Sequence, residues 1–417
     1  MSALGTPEQL ALEAKLIAML QHPDLVAATE RVRNLYLADP VNGATPAGTA
    51  TAESAAVNLV AGSTGHALVS DPARPVFFWG ACAPHSWHGL EVPGTGYGID
   101  NPDNVHRRCA IDGVSTYRIR AQLPARPAAQ FSFISYGGPE GELPVTREGA
   151  EIADVLLSAQ VEADDEGRFE VTVGPEPVPG SRHHLTSTPT STWLLVRDAL
   201  TDWETQEPLH LEIDRIAGPD APSAPTDEEL VTRAVAIADR LGAYWLAYDN
   251  EFIFSRPVNT LPEPRVRPFG AAVTTAYEVA EGHGLFVVID PLGSDYVGVE
   301  VTDPWGVTRP SVEATGGLNN RQLRRDADGL LRYWIGPVDP GVHNWVDTGG
   351  IDAGILAVRW QGGAMAAAGA RAVVELRHAP VAEAAGLFPA GHAITAAERA
   401  DQLRLRRTAF ERRLAPQ

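Results

Sequence analysis

Phe169-Glu170-Val171-Thr172-Val173 alternates apolar and polar side chains, and the pattern recurs along the chain. Leu209, Leu211 and Ile213 alternate with His210, Glu212 and Asp214, and Tyr117, Ile119 and Ala121 alternate with Arg118 and Arg120. A period of two with polar partners describes strands that bury one face, as in antiparallel sheets. From Pro75 onward such strands are short and punctuated by Gly and Pro, which predicts sandwich or jelly-roll halves. The expected fold class is therefore mainly β with flanking helices (α+β).

Outward from those strands the grammar becomes helical. Thr6-Pro7-Glu8-Gln9 predicts a helix start, with Thr6 accepting from the third helical N–H and Gln9 reaching back. A second helix is expected from Pro23 to about Leu37, and the Ala-rich Ala50 to Leu68 predicts a third. Ala217 to Pro225 is Pro-rich and reads as a semi-rigid linker. Capping boxes at Thr226-Asp227-Glu228-Glu229 and Thr395-Ala396-Ala397-Glu398 open two further helices. The organisation expected is a helical segment over 1–70, a β domain over 71–216, a linker over 217–225, and a helix, second β domain and C-terminal helix over 226–417. No repeat of short period is evident.

With 44% hydrophobic and 21% charged residues, the 417-residue chain has material for a sizeable core. A net charge of −20 disfavours nucleic acid and anionic membrane surfaces as partners. Two cysteines, Cys82 and Cys109, are too few for a disulfide framework. Neither a signal peptide nor a run of ~18 uncharged apolar residues is present. A cytoplasmic address is the expectation. The last helix carries Arg399, Arg404, Arg406, Arg407, Arg412 and Arg413, read as a face lying on the protein's own acidic surface or at an oligomer contact.

Walker, Rossmann, nucleophile-elbow and zincin signatures are missing, so no organic cofactor is expected. Three segments concentrate groups that carry chemistry. Cys82, His85 and His88 set borderline metal ligands three residues apart, and His106 and Cys109 repeat the spacing, which would suit zinc or copper. Asp100-Asn101-Pro102-Asp103-Asn104 follows Tyr97 and offers two carboxylates and two amides for a polar ligand, a hard cation or acid–base work. Asp339 to Thr348 includes His343, with a pKa range suited to proton transfer, Asp347 to orient it, and Asn344 and Trp345 beside them. Each also has a structural reading: small core cysteines, Asp and Asn capping their own turns, and a wide loop.

The run Arg324-Arg325-Asp326-Ala327-Asp328-Gly329-Leu330, the element Asp339-Pro340-Gly341-Val342-His343-Asn344-Trp345-Val346-Asp347-Thr348, and Val358-Arg359-Trp360 resemble the C-terminal signature of the domain of unknown function 1214 family. Asp100 to Asn104, Ile111-Asp112-Gly113, Tyr117-Arg118-Ile119, Ser191 to Arg197 and Asp202-Trp203 resemble its earlier part. Members are often paired with a companion, domain of unknown function 1254, which the N-terminal part here does not match. The resemblance implies a β-sandwich or jelly roll, often oligomeric, without a settled activity.

The leading expectation is an enzyme without organic cofactor. It would use Asp100, Asp103, His343 and Asp347 in hydrolysis, elimination or isomerisation of a small neutral molecule such as a glycoside, terpenoid or steroid. Tyr97, Asn101, Asn104, Trp305, Asn344, Trp345, Arg359 and Trp360, with Trp87 as a further aromatic, would hold the substrate. The alternatives are a carbohydrate- or lipid-binding protein and a metalloenzyme built on Cys82, His85 and His88.

Overall fold

The computed structural model describes residues 3–363 and 372–415. It opens with three helices, α1 (Pro7–Met19), α2 (Pro23–Leu37) and α3 (Pro46–Leu68). Each starts on a proline, preceded by a side chain that accepts a backbone N–H: Thr6 from Gln9, His22 from Asp24 and Thr45 from Gly48. Thr6 caps as expected, but Gln9 does not reach back to it. Its amide donates to Glu13 and its carbonyl oxygen accepts from the Trp79 N–H, which ties α1 to the first strand.

The strands of the first half are β1 (Phe78–Gly80), the hairpin β2 (His85–Trp87) and β3 (Leu90–Val92), β4 (Asn104–Ala110), β5 (Thr116–Gln122), β6 (Gln130–Gly137), β7 (Glu151–Leu157), β8 (Arg168–Gly174), β9 (His183–Thr186), β10 (Ser191–Ala199) and β11 (His210–Ala217). They form one sheet in the order β1-β4-β10-β6-β7 and another in the order β11-β5-β8-β9. The alternating residues of β5 and β8 meet Phe131, Phe133, Leu194 and Val196 from the first sheet in one apolar core, which makes the half a sandwich.

A helix, α4 (Asp227–Asp249), follows, capped by the Thr226–Glu229 box, and runs on as one π-helical turn over Asn250–Phe254. It packs with α2 and α3, where Leu230, Ala234, Ala238 and Leu241 join Leu25, Val32, Ala56 and Leu59 in their core, and its last turns, through Trp245 and Tyr248, rest on Ala276, Ile355 and Ala357 of the second half. The second half contains β12 (Arg265–Arg267), β13 (Gly270–Glu278), β14 (His283–Ile289), β15 (Tyr296–Thr302), β16 (Gly317–Asn319), β17 (Leu331–Gly336), β18 (Trp345–Asp347), β19 (Ala353–Gln361) and β20 (Val373–Pro380). Its sheets run β12-β13-β19-β15-β16 and β18-β17-β14-β20, again closing on a shared core.

The two halves have the same topology. Reading β1 and β4 to β11 against β12 and β13 to β20 reproduces every neighbour, including the parallel pairs β8–β9 and β17–β18. The sequence keeps a trace of this: Gly167, Gly174 and Arg197 recur at one constant spacing as Gly329, Gly336 and Arg359. The chain thus carries two copies of one nine-stranded unit.

Their five-stranded sheets turn outward faces toward each other. On β10, Leu194 and Val196 enter the sandwich core while Trp193, Leu195 and Arg197 point away; on β19, Leu356 and Val358 point in while Ile355, Ala357 and Arg359 point away. After a single turn, α5 (Ala384–Leu387), the chain ends in α6 (Ala396–Leu414). Arg399 and Arg406 of α6 donate to carbonyls of the second half (Val342, Ser311, Gly317), and Arg412 and Arg413 to carbonyls of the first (Gln206, Pro102). These arginines clasp the protein's own loops, because a guanidinium fork can satisfy several carbonyls at once. Among the described residues no helix is long and apolar enough to cross a membrane.

Candidate functional site

Between the two five-stranded sheets, roofed by α3 and α4, lies a cavity of ≈ 280 Å³. Period-two alternation builds its walls. β4 contributes His106 and Arg108, β6 contributes Tyr136, and β10 contributes Trp193, Leu195 and Arg197. The second half adds Arg265 and Arg267 of β12, Phe269 and Arg359. Tyr244, Trp245 and Tyr248 lie on one face of α4 at helical spacing, and His66 comes from α3.

The loop 97–100 closes one side. Ile99 adopts φ +60, a strained conformation for a β-branched residue, and the adjacent Gly98 has φ +64. The turn is held by Ile99 N–H donating to the Gly306 carbonyl at 2.8 Å and by the Arg359 guanidinium donating to the Ile99 carbonyl. A Cβ on Gly98 would lie 2.6 Å from the Trp245 ring, so only glycine permits this approach. The outcome is that Asp100 faces the cavity.

Asp100 Oδ1 accepts from Thr308 N–H at 2.9 Å, and its own carbonyl accepts from the Thr308 hydroxyl at 2.7 Å. Withdrawal from water pushes its pKa up to about 6, against the lowering effect of the Thr308 bonds and of Arg359. Tyr97 Oη lies 3.3 Å from His66 Nε2 and donates to Glu140, which is paired with Arg108. Burial drives the Tyr97 phenol up and the His66 and His106 imidazoles well down, so both histidines are neutral at pH 7.

Five arginines and three carboxylates line the cavity of a chain whose net charge is −20. Four of the arginines are committed to protein acceptors. Arg108 pairs with Glu140, Arg265 donates to the Arg147 carbonyl and Tyr248 Oη, Arg267 to the Ala150 carbonyl, and Arg359 pairs with Glu300. Arg197 has no hydrogen bond or ion pair among the described residues; it stacks over the Phe269 ring at 4.5 Å, and burial lowers its pKa. Arg197 Nε, His106 Nε2, Trp193 Nε1 and Trp245 Nε1 are all enclosed without a partner. A cavity whose enclosed unpartnered groups include three donors (Arg197 Nε and the two indoles), backed by aromatic rings, is complementary to an acceptor-bearing, flat ligand.

Of the residues expected from sequence, Tyr97, Asp100 and Arg359 line this cavity; Trp360 borders it, but its ring is fully buried in the core of the second half and donates to the Asp290 carbonyl. The others do not. Asp103 is buried and accepts from Trp203 Nε1 at 2.8 Å, Asn319 Nδ2 at 2.8 Å and Tyr296 Oη at 3.0 Å, so it locks the two halves together instead of facing a ligand. Asn101 donates to the same Tyr296 hydroxyl, and Asn104 is buried at the start of β4. Trp305 stacks on Tyr36 with centroids 4.6 Å apart and donates to the Gly48 carbonyl, which places it in the helical core.

His343 and Asp347 form no pair with each other. His343 sits 3.1 Å from Asn344 Oδ1 and lines a different cavity, beside α6, while Asp347 accepts from the Gly349 N–H as a turn cap. Asn344 fastens the Arg324 and Arg332 backbones, and the Trp345 indole donates to the Gly336 carbonyl under the Arg399 guanidinium. The shared acid/base site expected of the two loops is therefore not formed. Cys82 and His85 lie beside each other, but His88 does not join them. Cys82 Sγ contacts Thr95, His85 turns to the Ala83 carbonyl and Glu13 beside Trp87, and His88 is exposed on the β2–β3 turn at φ +48. Among the described residues no group of three His, Cys, Asp or Glu is placed to hold a metal ion.

Sequence reading missed Arg197, Arg108, His106 as a cavity residue, Trp193 and the α4 aromatics. The available signal was the recurrence of Leu194-Leu195-Val196-Arg197 as Leu356-Ala357-Val358-Arg359.

No family model matches the chain, and no curated protein matches it. Among solved structures, an uncharacterized protein from Burkholderia cenocepacia superposes with a TM-score of 0.70 at 21% identity, covering 89% of this chain and 99% of that one. The VPA0106 protein from Vibrio parahaemolyticus is a more distant match, with a TM-score of 0.39 at 11% identity over 64% of this chain and 86% of that one. At these identities the first likeness shows a shared fold: N-terminal helices, antiparallel sheets and a C-terminal helix spanning nearly the whole chain.

Proposed function

We propose that the cavity between the two halves binds a small molecule with one anionic group and a flat apolar body. The observation that carries this reading is Arg197, a half-buried cation in the cavity wall whose Nε is enclosed and which has no counter-charge among the described residues. Burying an unpaired charge costs several kcal/mol, so a site that keeps one is built for an anion supplied from outside. Tyr136 and Trp193, stacked with centroids 3.9 Å apart, and the α4 aromatics supply the apolar walls. The arginines favour an anion over the neutral substrate that the loop carboxylates alone suggested. Kinship with the domain of unknown function 1214 family belongs to the same proposal, since Arg359 of its Val358-Arg359-Trp360 element lies in the wall.

Calorimetric titration of small organic anions and their neutral analogues into the wild type and Arg197→Met tests the reading. Anions should bind the wild type and lose affinity at least about tenfold in the variant. Neutral analogues binding as tightly as the anions would refute it.

Asp100 favours a second step, turnover by proton transfer. A carboxyl group held at about 6 beside a bound molecule can serve as acid or base near neutral pH, as hydrolysis, elimination or isomerisation requires. Asp100→Asn should then abolish turnover of a bound ligand while leaving its binding within about threefold. Undiminished turnover would assign Asp100 to the loop's architecture alone.

A further inference from the structure

The internal duplication supplies a comparison within one chain. Arg197 on β10 lies opposite Ser132 of β6, and Arg359 on β19 lies opposite Gly298 of β15. The two arginines therefore occupy equivalent places on the outward faces of equivalent central strands. Two residues further along β15, Glu300 lies opposite Ala357, diagonal to Arg359 and on the same face. Its carboxylate pairs with the Arg359 guanidinium. The equivalent position on β6 is Ile134, opposite Leu195 and diagonal to Arg197. Ile134 is fully buried against Tyr136 and Trp193 and offers Arg197 no charge.

From this exchange we infer that the ligand's anionic group is a carboxylate, which takes at Arg197 the part that Glu300 plays at Arg359, and that Ile134 determines the specificity of the site by withholding an internal carboxylate. The inference rests on the anion-binding reading above and narrows it. A planar carboxylate can match a guanidinium fork with two parallel hydrogen bonds, and in the second half a carboxylate does stand beside the equivalent arginine. The indole N–H groups of Trp193 and Trp245 remain available for a further acceptor on the ligand, and the Trp245, Tyr248 and Phe269 rings line the space for a flat aromatic or fused-ring body. The ligand class is thus an aryl or otherwise flat apolar carboxylic acid of a size suited to ≈ 280 Å³.

The probes are 2-naphthoate, its neutral counterpart 2-naphthamide, and inorganic phosphate, each titrated into the full chain. The wild type should bind naphthoate at least about tenfold more tightly than naphthamide or phosphate. Ile134→Glu should supply the missing internal partner and lower naphthoate affinity at least about tenfold, while Ile134→Gln, of the same shape without the charge, should bind within about threefold of wild type. Naphthoate binding to a folded Ile134→Glu protein at wild-type strength would overturn the inference. Where Ile134→Glu fails to fold, Glu300→Gln decides. Freeing Arg359 should add a second naphthoate equivalent or tighten the first about tenfold, and an unchanged isotherm would overturn the inference. Tighter binding of phosphate than naphthoate would leave an anion site but refute the carboxylate. A wild type that binds neither anion would instead refute the anion-binding reading itself.

Discussion

Replacing Arg197 with methionine should stabilise the ligand-free protein. The guanidinium borders the cavity and stacks over the Phe269 ring at 4.5 Å, with no hydrogen bond or ion pair among the described residues. A desolvated cation–π contact of that kind is worth about 1–2 kcal/mol. Against it stands the cost of holding a cation out of bulk water without a counter-charge, several kcal/mol, which exchange for an apolar residue of similar volume recovers in part. The lowered pKa of Arg197, with burial as its first cause, has the same sign. The balance favours methionine by about 1–3 kcal/mol. Unfolding entropy of ~2.1 cal/mol/K per residue over 417 residues makes each kcal/mol worth about 1 °C in Tm if the chain melts as one unit. Urea midpoints are therefore the better assay, with the slope checked for constancy. Arg197→Met should move the midpoint upward while losing anion binding, a stability gained at the expense of function. A variant destabilised by more than about 1 kcal/mol would show that Arg197 holds the fold together, and the case for an external anion would lose its basis.

Asp100 and Asp303 have pKa values raised to about 6 and about 7, first by burial, from an ordinary 3.8. Raised carboxyls favour the folded state below pH 4, and that contribution is lost as pH climbs through 6 and 7. Between pH 5 and 8 the wild type should lose about 1–2 kcal/mol more stability than Asp100→Asn, read from urea midpoints at the two pH values. Asp103→Ala should cost about 3–5 kcal/mol, because it strands the Trp203, Asn319 and Tyr296 donors at the junction of the halves; a change under about 1 kcal/mol would remove Asp103 from that structural role. Gly98→Ala should cost about 1–3 kcal/mol and displace Trp245, seen as altered indole fluorescence, because φ +64 and a 2.6 Å approach both oppose a Cβ; an unperturbed spectrum would refute that close packing.

Strands were legible where one face meets a core and the other meets polar surroundings. Phe169, Val171 and Val173 alternate because Glu170 faces outward, and the expected strand is present as β8. The same rule concealed the site. His106, Arg108, Arg197 and Arg359 occupy the polar phase of their strands, and a period of two does not distinguish a solvent-facing polar residue from one facing another sheet across a cavity. Only the pairing of the two halves turns those positions inward. The Asp100–Asn104 loop was half legible: its carboxylates are special, but Asp100 faces a cavity and Asp103 a knot of donors from both halves, a difference set by tertiary contacts distant in sequence. His343 and Asp347 looked coupled because they are close along the chain, yet each serves a separate turn.

The position of α6 in the chain has a consequence for biosynthesis. Each sandwich closes on its own core, so both can form as the ribosome delivers them, the N-terminal one first. The clasp is delivered after both. Until Arg413 reaches the Pro102 carbonyl, and until Arg406 and Arg413 sandwich Trp203 at 4.3 Å on either side, the loop that carries Asp100 has no tether to the C-terminal helix. Without α6 the two halves would keep their own cores but lose the arginine clasp that fastens the Pro102 loop of the first half and the Ser311 and Gly317 carbonyls of the second to one helix.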